Sequence, residues 1–227
     1  HAGRLPVEIE AVPEGSVVDL QNVLVQVRNT DPNVPWLTSY LETALLRAVW
    51  YPTTVATNSW MIRQELEAFA RKSGSSADVS FKLHDFGARG VSSKESAAIG
   101  GLAHLVNFQG TDTVEAVVAG RKYYNSEMAG FSIPASEHST ITVWGEDAED
   151  DAYANMLAQF ARPGSVVACV SDSYDIYHAA ENLWGGKLRQ QVEESGATLV
   201  MRPDSGNPTT VPIEVIEILM DKFGYTT

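Results

Sequence analysis

From residue 79 onward the chain alternates short strand-like runs with helix-like runs, and this rhythm constrains the fold more than any other feature. The strand-like runs are VSFKLH (79–84), HLVNF (104–108), GFSI (130–133), SVVACV (165–170) and TLVMR (198–202), each followed by a helix-like run. Alternation at this spacing implies parallel strands joined by right-handed crossovers. The expected fold class is therefore α/β. Two helix starts read as capping boxes, Ser92-Ser93-Lys94-Glu95 and Asp112-Thr113-Val114-Glu115, in which a side chain and a backbone N–H satisfy each other reciprocally.

The first part of the chain follows a different pattern. Residues 7–28 place apolar residues at alternate positions in VEIEA and VLVQVR, separated by the turn-forming PEGS. These are strand and turn signals. TDPNVP (30–35) is a loop, and helical periodicity then runs over 36–50 and 53–74, with Gly74 as the stop. The expected organisation is a β-rich segment over 1–35, connecting helices over 36–78 and an α/β domain over 79–227.

The residues after each strand carry the chemistry. Asp85, Phe86 and Arg89 follow the first and Asp112 the second. His138 follows the third, Asp172 and Asp175 the fourth, and Arg202 and Asp204 the fifth. In a parallel α/β barrel such positions gather at one rim, where active sites sit. Gly87 and Gly90 are expected to let the backbone turn tightly, so that Phe86 and Arg89 both face that rim. Two guanidinium groups suit a phosphorylated ligand, whereas carboxylates on the same rim suit ribose hydroxyls or a cation. An aromatic face, arginines, carboxylates and one histidine point to a phosphorylated sugar together with a heteroaromatic base. Structural readings stand beside this. Asp112 is also placed as a helix N-cap, His138 as a core or capping histidine, and His84 as a structural residue ending an alternating strand. Asp172 is placed to bond loop backbone, and Tyr174 and Tyr177 to pack.

Charge narrows the partners. With 16 basic and 29 acidic residues the net charge is −13, the opposite of what a nucleic-acid backbone binder needs. Part of the excess lies in GEDAEDDAY (145–153), which reads as a solvated first helical turn favoured by the helix dipole. Cys169 is the only cysteine, so no internal disulfide can form, and its apolar surroundings mark a buried, inert thiol. No apolar run approaches the ~20 residues of a membrane span, and no leader pattern opens the chain. The chain starts at His1 rather than Met, which reads as a fragment or a cleaved chain.

KLHDFGARGVSS, HLVNFQGTDTVEA, IPASEHSTITVWG, VSDSYDIYHA and RPDSGNP, with LPVEIEAVPEG and NTDPNVPWLTSYLETALLRAVWYPTTVATNS, resemble the nicotinamide phosphoribosyltransferases of the type II phosphoribosyltransferase family. The likeness covers nearly the whole chain. It implies part of an irregular parallel α/β barrel preceded by a small β-rich segment. It further implies transfer of a phosphoribosyl group from phosphoribosyl pyrophosphate to nicotinamide, in NAD salvage. Magnesium, optional ATP acting through a phosphorylated histidine, a homodimer with shared sites and a cytoplasmic location belong to the same implication, with no nucleic-acid or membrane partner.

Position by position, the resemblance implies that Phe86 stacks on the pyridine ring, and that Arg202 flanks its other side or reaches the phosphate. Arg89 holds pyrophosphate, and Asp112 accepts a hydrogen bond from the carboxamide. His138 is the phosphorylated histidine, Asp204 holds the ribose, and Asp175 supports the sugar or its magnesium; no protein-only metal site is expected. Family chains extend further at both ends, with a donated tyrosine before His1 and a glycine-rich phosphate loop after Thr227. Five strand–helix units cannot close a barrel of about eight strands, so this chain alone is expected to leave an open sheet edge and to be poorly soluble. Two other functions fit the same residues. One is transfer to nicotinate; the other is a catalytically inactive fragment serving only as an interaction module. A metal-dependent barrel hydrolase would want a His-x-His pair, which the chain lacks.

Overall fold

The computed structural model describes residues 3–76 and 78–225. It forms two compact units, one ending at Ser132 and the other beginning at Ile133.

In the first unit β1 (Val7–Ala11) pairs antiparallel with β2 (Val25–Asn29), Val7 opposite Asn29 and Ala11 opposite Val25. The alternation is visible in burial: Val25 and Val27 are half-buried while Gln26 and Arg28 face solvent. A single helix, α1 (Leu37–Lys72), follows, where the sequence predicted two helices separated near Tyr51 and Pro52. Pro52 lies inside it. Proline removes one helical N–H, but only one, and good helix formers continue on both sides. Thr54 and Thr57 hydroxyls donate back to the Trp50 and Thr53 carbonyls at 2.8 and 2.7 Å. The stop is as expected: Gly74 takes a left-handed φ of 71° just past the last turn.

In this unit the parallel strands are shorter than the apolar runs: of VSFKLH only His84 is in a strand, and of GFSI only Phe131 makes a bridge. β3 (His84–Asp85) pairs in parallel with β4 (Gly110–Thr111), His84 opposite Gly110, and Phe131 adds a parallel bridge to Gly110. HLVNF is not a strand. α2 (Lys94–His104) absorbs its first residue and a turn takes the rest. Its apolar character serves burial instead: Phe108 is 1% exposed and stacks on the His104 ring at 5.5 Å. His104, its pKa held down by burial, bonds through Nε2 to the Gly110 carbonyl at 2.9 Å. A short apolar run does not distinguish a ladder from a buried turn.

Both capping boxes are displaced. α2 is capped by Ser93, whose hydroxyl accepts from the Ser96 N–H at 3.0 Å. α3 (Val114–Tyr124) has Thr113, not Asp112, as its N-cap residue.

In the second unit β5 (Val166–Val170) and β6 (Thr198–Arg202) pair in parallel, Val170 opposite Arg202, as the apolar runs SVVACV and TLVMR predicted. Residues 134–136 run along the other side of β5. The Ala168 N–H donates to the Pro134 carbonyl at 2.9 Å, and the Ser136 N–H to the Ala168 carbonyl at 3.0 Å. α4 (His138–Thr142) and α5 (Glu149–Phe160) precede β5. After it come α6 (Ile176–His178), a π-helical stretch (Ala179–Lys187), α7 (Arg189–Ser195) and, beyond β6, α8 (Val211–Phe223). The core gathers Tyr153, Val167, Cys169, Val170, Leu183 and Trp184, with Tyr153 stacked on Trp184 at 4.5 Å. Burial pushes the Cys169 thiol up to about 12, as expected of an inert core cysteine. The chain is thus mixed α/β with small parallel sheets. Among the described residues no helix is long and apolar enough to cross a membrane.

Candidate active site

Parallel pairing sets the C-terminal ends of neighbouring strands side by side, which is where open α/β sheets carry ligands. Two clusters of expected site residues lie at such ends, one in each unit.

In the first unit the turn after β3 is tied by its own aspartate. The Asp85 carboxylate accepts from the Gly87 N–H at 2.7 Å, and its backbone carbonyl accepts from the Asp112 N–H at 2.9 Å. Neither Gly87 nor Gly90 has a positive φ, contrary to the expected reason for glycine there. At residue 87 the reason is space, since a Cβ would stand 2.8 Å from the Asp85 carboxylate. The turn continues as a 3-10 helix (Gly87–Gly90) that carries Arg89, with Phe86 at its start and 48% exposed. The Phe86 ring lies 4.7 Å from the His84 ring at 36°. His84 Nε2 is 3.0 Å from Asp112 Oδ1, and the Ser132 hydroxyl donates to that same oxygen. Phe86, Arg89 and Asp112 therefore come from the ends of one β3–β4 pair.

In the second unit His138 opens α4 directly beyond the segment that flanks β5. Its Nε2 is 3.1 Å from Asp172 Oδ1, and its Nδ1 is 3.9 Å from Asp204 Oδ2. Asp172, only 4% exposed, also accepts from the Ser205 hydroxyl at 2.6 Å and the Asp204 N–H at 3.0 Å. Burial pushes its pKa up, but the hydrogen bonds from Ser205, His138 and the Asp204 backbone outweigh that and hold it below the usual carboxylate value. Arg202 donates to Asp204 Oδ1 at 2.7 Å and to the Ser136 carbonyl at 3.4 Å. Beneath Asp172, Ser171 is fully buried; its hydroxyl accepts from Trp184 Nε1 at 3.0 Å and donates to the Cys169 carbonyl at 3.0 Å. The π-helical stretch thus anchors the end of β5.

Asp175 has partners of a different kind. Its carboxylate caps α6, accepting from the Tyr177 and His178 N–H groups at 2.9 and 3.1 Å. It lines a cavity of about 440 Å3 together with Glu146, Glu149, Asp150, His178 and Lys187. Among the described residues no group of three or more His, Cys, Asp or Glu side chains is placed to hold a metal.

Sequence reasoning did not foresee the Asp172–His138, His84–Asp112 and Ser132–Asp112 hydrogen bonds. Asp172 does bond loop backbone, as read, but it also orients His138. The rule that found its neighbours, an ionisable residue just past an apolar strand, applies to it equally. Ser132 gave no such signal, because it lies inside a strand-like run and carries no charge.

Residues 81–227 match the model of the nicotinate phosphoribosyltransferase (NAPRTase) family. The chain is 56% identical to a nicotinamide phosphoribosyltransferase of Xanthomonas campestris pv. campestris, over 98% of this chain and 48% of that protein. It is 35% identical to one of Acinetobacter baylyi, over 92% of this chain and 43% of that protein. Against one of Mycoplasma pneumoniae it is 34% identical, over 93% of this chain and 44% of that protein. The chain therefore spans about half the length of the curated relatives it matches. With paired strand ends offering the aromatic, guanidinium and carboxylate groups that its sequence motifs announced, the chain belongs to the nicotinate phosphoribosyltransferase family.

Proposed function

We propose that the protein of which this chain is part transfers the phosphoribosyl group of phosphoribosyl pyrophosphate to nicotinamide, releasing pyrophosphate. The observation that carries this reading is the Asp112 carboxylate, held by His84 and Ser132, with the half-exposed Phe86 ring 4.7 Å from the same imidazole. A flat aromatic face suits a pyridine ring, and a carboxylate oxygen, which only accepts, suits the N–H of a carboxamide. The names of the relatives point the same way.

In the reaction the ring nitrogen forms a bond to the anomeric carbon while the bond from that carbon to pyrophosphate breaks, its electron pair leaving with the pyrophosphate. Positive charge builds on the sugar and negative charge on the leaving group. Arg89 and Arg202 serve phosphate oxygens, and Asp204, half-exposed beside His138, serves the ribose. Fixed charges aimed at those developing charges lower the barrier by electrostatic preorganisation. His138 is the residue for phosphorylation by ATP: it is partly exposed and its ring is oriented by Asp172. Magnesium keeps several waters and is usually bound by substrate phosphates with one or two carboxylates. Asp204 or Asp175 would supply such a carboxylate to the ion when it accompanies the diphosphate. A cytoplasmic homodimer with shared sites completes the reading.

The test is pyrophosphate release by the complete protein given phosphoribosyl pyrophosphate with nicotinamide, or with nicotinate. Release that depends on nicotinamide is expected. Release that depends on nicotinate alone, or none, would overturn the reading.

A further inference from the structure

We propose that His84 is a positioning residue for the nicotinamide carboxamide, acting through Asp112; the inference rests on the reading of Asp112 given above. His84 Nε2 lies 3.0 Å from Asp112 Oδ1. A carboxylate oxygen can only accept, so Nε2 carries the hydrogen and donates. The Ser132 hydroxyl donates to the same oxygen. Two donors from different segments of the chain fix the carboxylate's rotation, which a solitary exposed aspartate would leave open.

The imidazole itself is seated. The β3–β4 register sets His84 against Gly110, and a Cβ at Gly110 would stand 2.6 Å from His84 Nδ1. The ring therefore lies against bare backbone that no other residue type would leave clear. The backbone at Gly110 is held in turn, its carbonyl bonded by His104 Nε2 at 2.9 Å. The His84 ring also meets Phe86 at 4.7 Å. One side chain thus touches both groups assigned to the base, the ring that stacks and the carboxylate that reads the amide. A residue that only filled space would need neither the donor on Asp112 nor a glycine cut to the imidazole.

The experiment measures kcat and KM for nicotinamide and for phosphoribosyl pyrophosphate in the complete protein and in two variants. His84→Phe keeps a flat ring beside Phe86 and removes the donor. His84→Gln keeps an N–H donor and removes the ring. Loss of one hydrogen bond's worth of orientation is about tenfold in affinity. His84→Phe is therefore expected to raise the nicotinamide KM by about tenfold, with the KM for phosphoribosyl pyrophosphate and kcat nearly unchanged, and His84→Gln to recover most of the loss. Equal rises for both substrates, or no recovery in His84→Gln, would overturn the role. Should His84→Phe not fold, His84→Ala assayed with added imidazole serves instead: restored nicotinamide affinity is expected, and none would overturn the role. A wild-type protein that never uses nicotinamide would overturn the underlying reading and the role with it, whereas normal wild-type turnover with an unmoved variant KM overturns the role alone.

Discussion

His138 Nε2 lies 3.1 Å from Oδ1 of Asp172, a carboxylate whose side chain is 4% exposed. An almost fully buried carboxylate is tolerated only when its lone pairs are filled, and the Ser205 hydroxyl and the Asp204 N–H complete that filling. Asp172 thereby joins the start of α4 to the loop after β6. Its pKa is held below the ordinary value, so its stabilisation is present above that value and is lost as pH falls through the folded pKa. Asp172→Asn is expected to lower stability at neutral pH by about 1–3 kcal/mol, with the penalty shrinking in acid. Denaturant melts of both forms at neutral and acidic pH measure it; a penalty independent of pH would remove the charge from the account.

The same pairing fixes how His138 can work. With Nε2 committed to Asp172, the ring is oriented before any ligand arrives. Replacing His138 by Ala in the complete protein is expected to abolish stimulation by ATP and to slow pyrophosphate release. Phosphohistidine detection after incubation with ATP gives an independent readout. Full ATP stimulation in the variant would contradict the assignment.

Glu149 presents the opposite sign. It is 4% exposed, and the Tyr153 hydroxyl donates to its Oε1 at 2.7 Å. Burial raises its pKa, and the Tyr153 hydrogen bond offsets that only in part. A carboxyl with a raised folded pKa favours the fold below its unfolded value, and that contribution is lost as pH rises through the folded pKa. Glu149→Gln keeps an acceptor for Tyr153 and removes the buried charge. It is expected to stabilise the protein at neutral pH by about 1 kcal/mol, the usual scale of a favourable single substitution, with no gain well below the unfolded carboxyl value. A lower Tm at neutral pH would mean that the charge itself serves the cavity beside Glu149.

What the sequence disclosed follows from what each signal measures. SVVACV and TLVMR are strands close to where periodicity placed them, because they pair with each other over five residues and β5 is buried from Val167 to Val170. HLVNF misled because Phe108 is buried without a ladder, and apolarity reports burial rather than hydrogen bonding. Pro52 suggested a break that the surrounding helix formers override. The strand-end rule holds as read for Asp172, Arg202 and Asp204, since the C-terminal ends of β5 and β6 lie together, whereas Asp112 follows β4 rather than HLVNF and His138 follows a run, GFSI, in which only Phe131 makes a bridge. It could not find Ser132, which is uncharged, or the space at Gly110, which exists only once His84 is set beside it.

On the proposed reading, substrate choice would turn on Asp112. Nicotinamide and nicotinate differ only in a neutral amide against a carboxylate. Opposite the amide, the Asp112 carboxylate accepts a hydrogen bond; opposite nicotinate, two like charges meet. A lost hydrogen bond costs ~1–3 kcal/mol, whereas like charges juxtaposed at a desolvated contact cost several, so repulsion sets the preference. His84 and Ser132 would sharpen it on that reading, because both donate to Oδ1 and so hold the carboxylate's orientation. Asp112→Ser removes the charge and leaves a small polar group. In the complete protein the variant is expected to narrow the ratio of kcat/KM for nicotinamide over nicotinate by at least about tenfold, mainly by admitting nicotinate. Steady-state kinetics with both bases, in wild type and variant, measure the ratio. An unchanged ratio would reduce Asp112 to a structural link between β4 and α3, and a wild type that used both bases equally would remove charge repulsion as the source of selectivity.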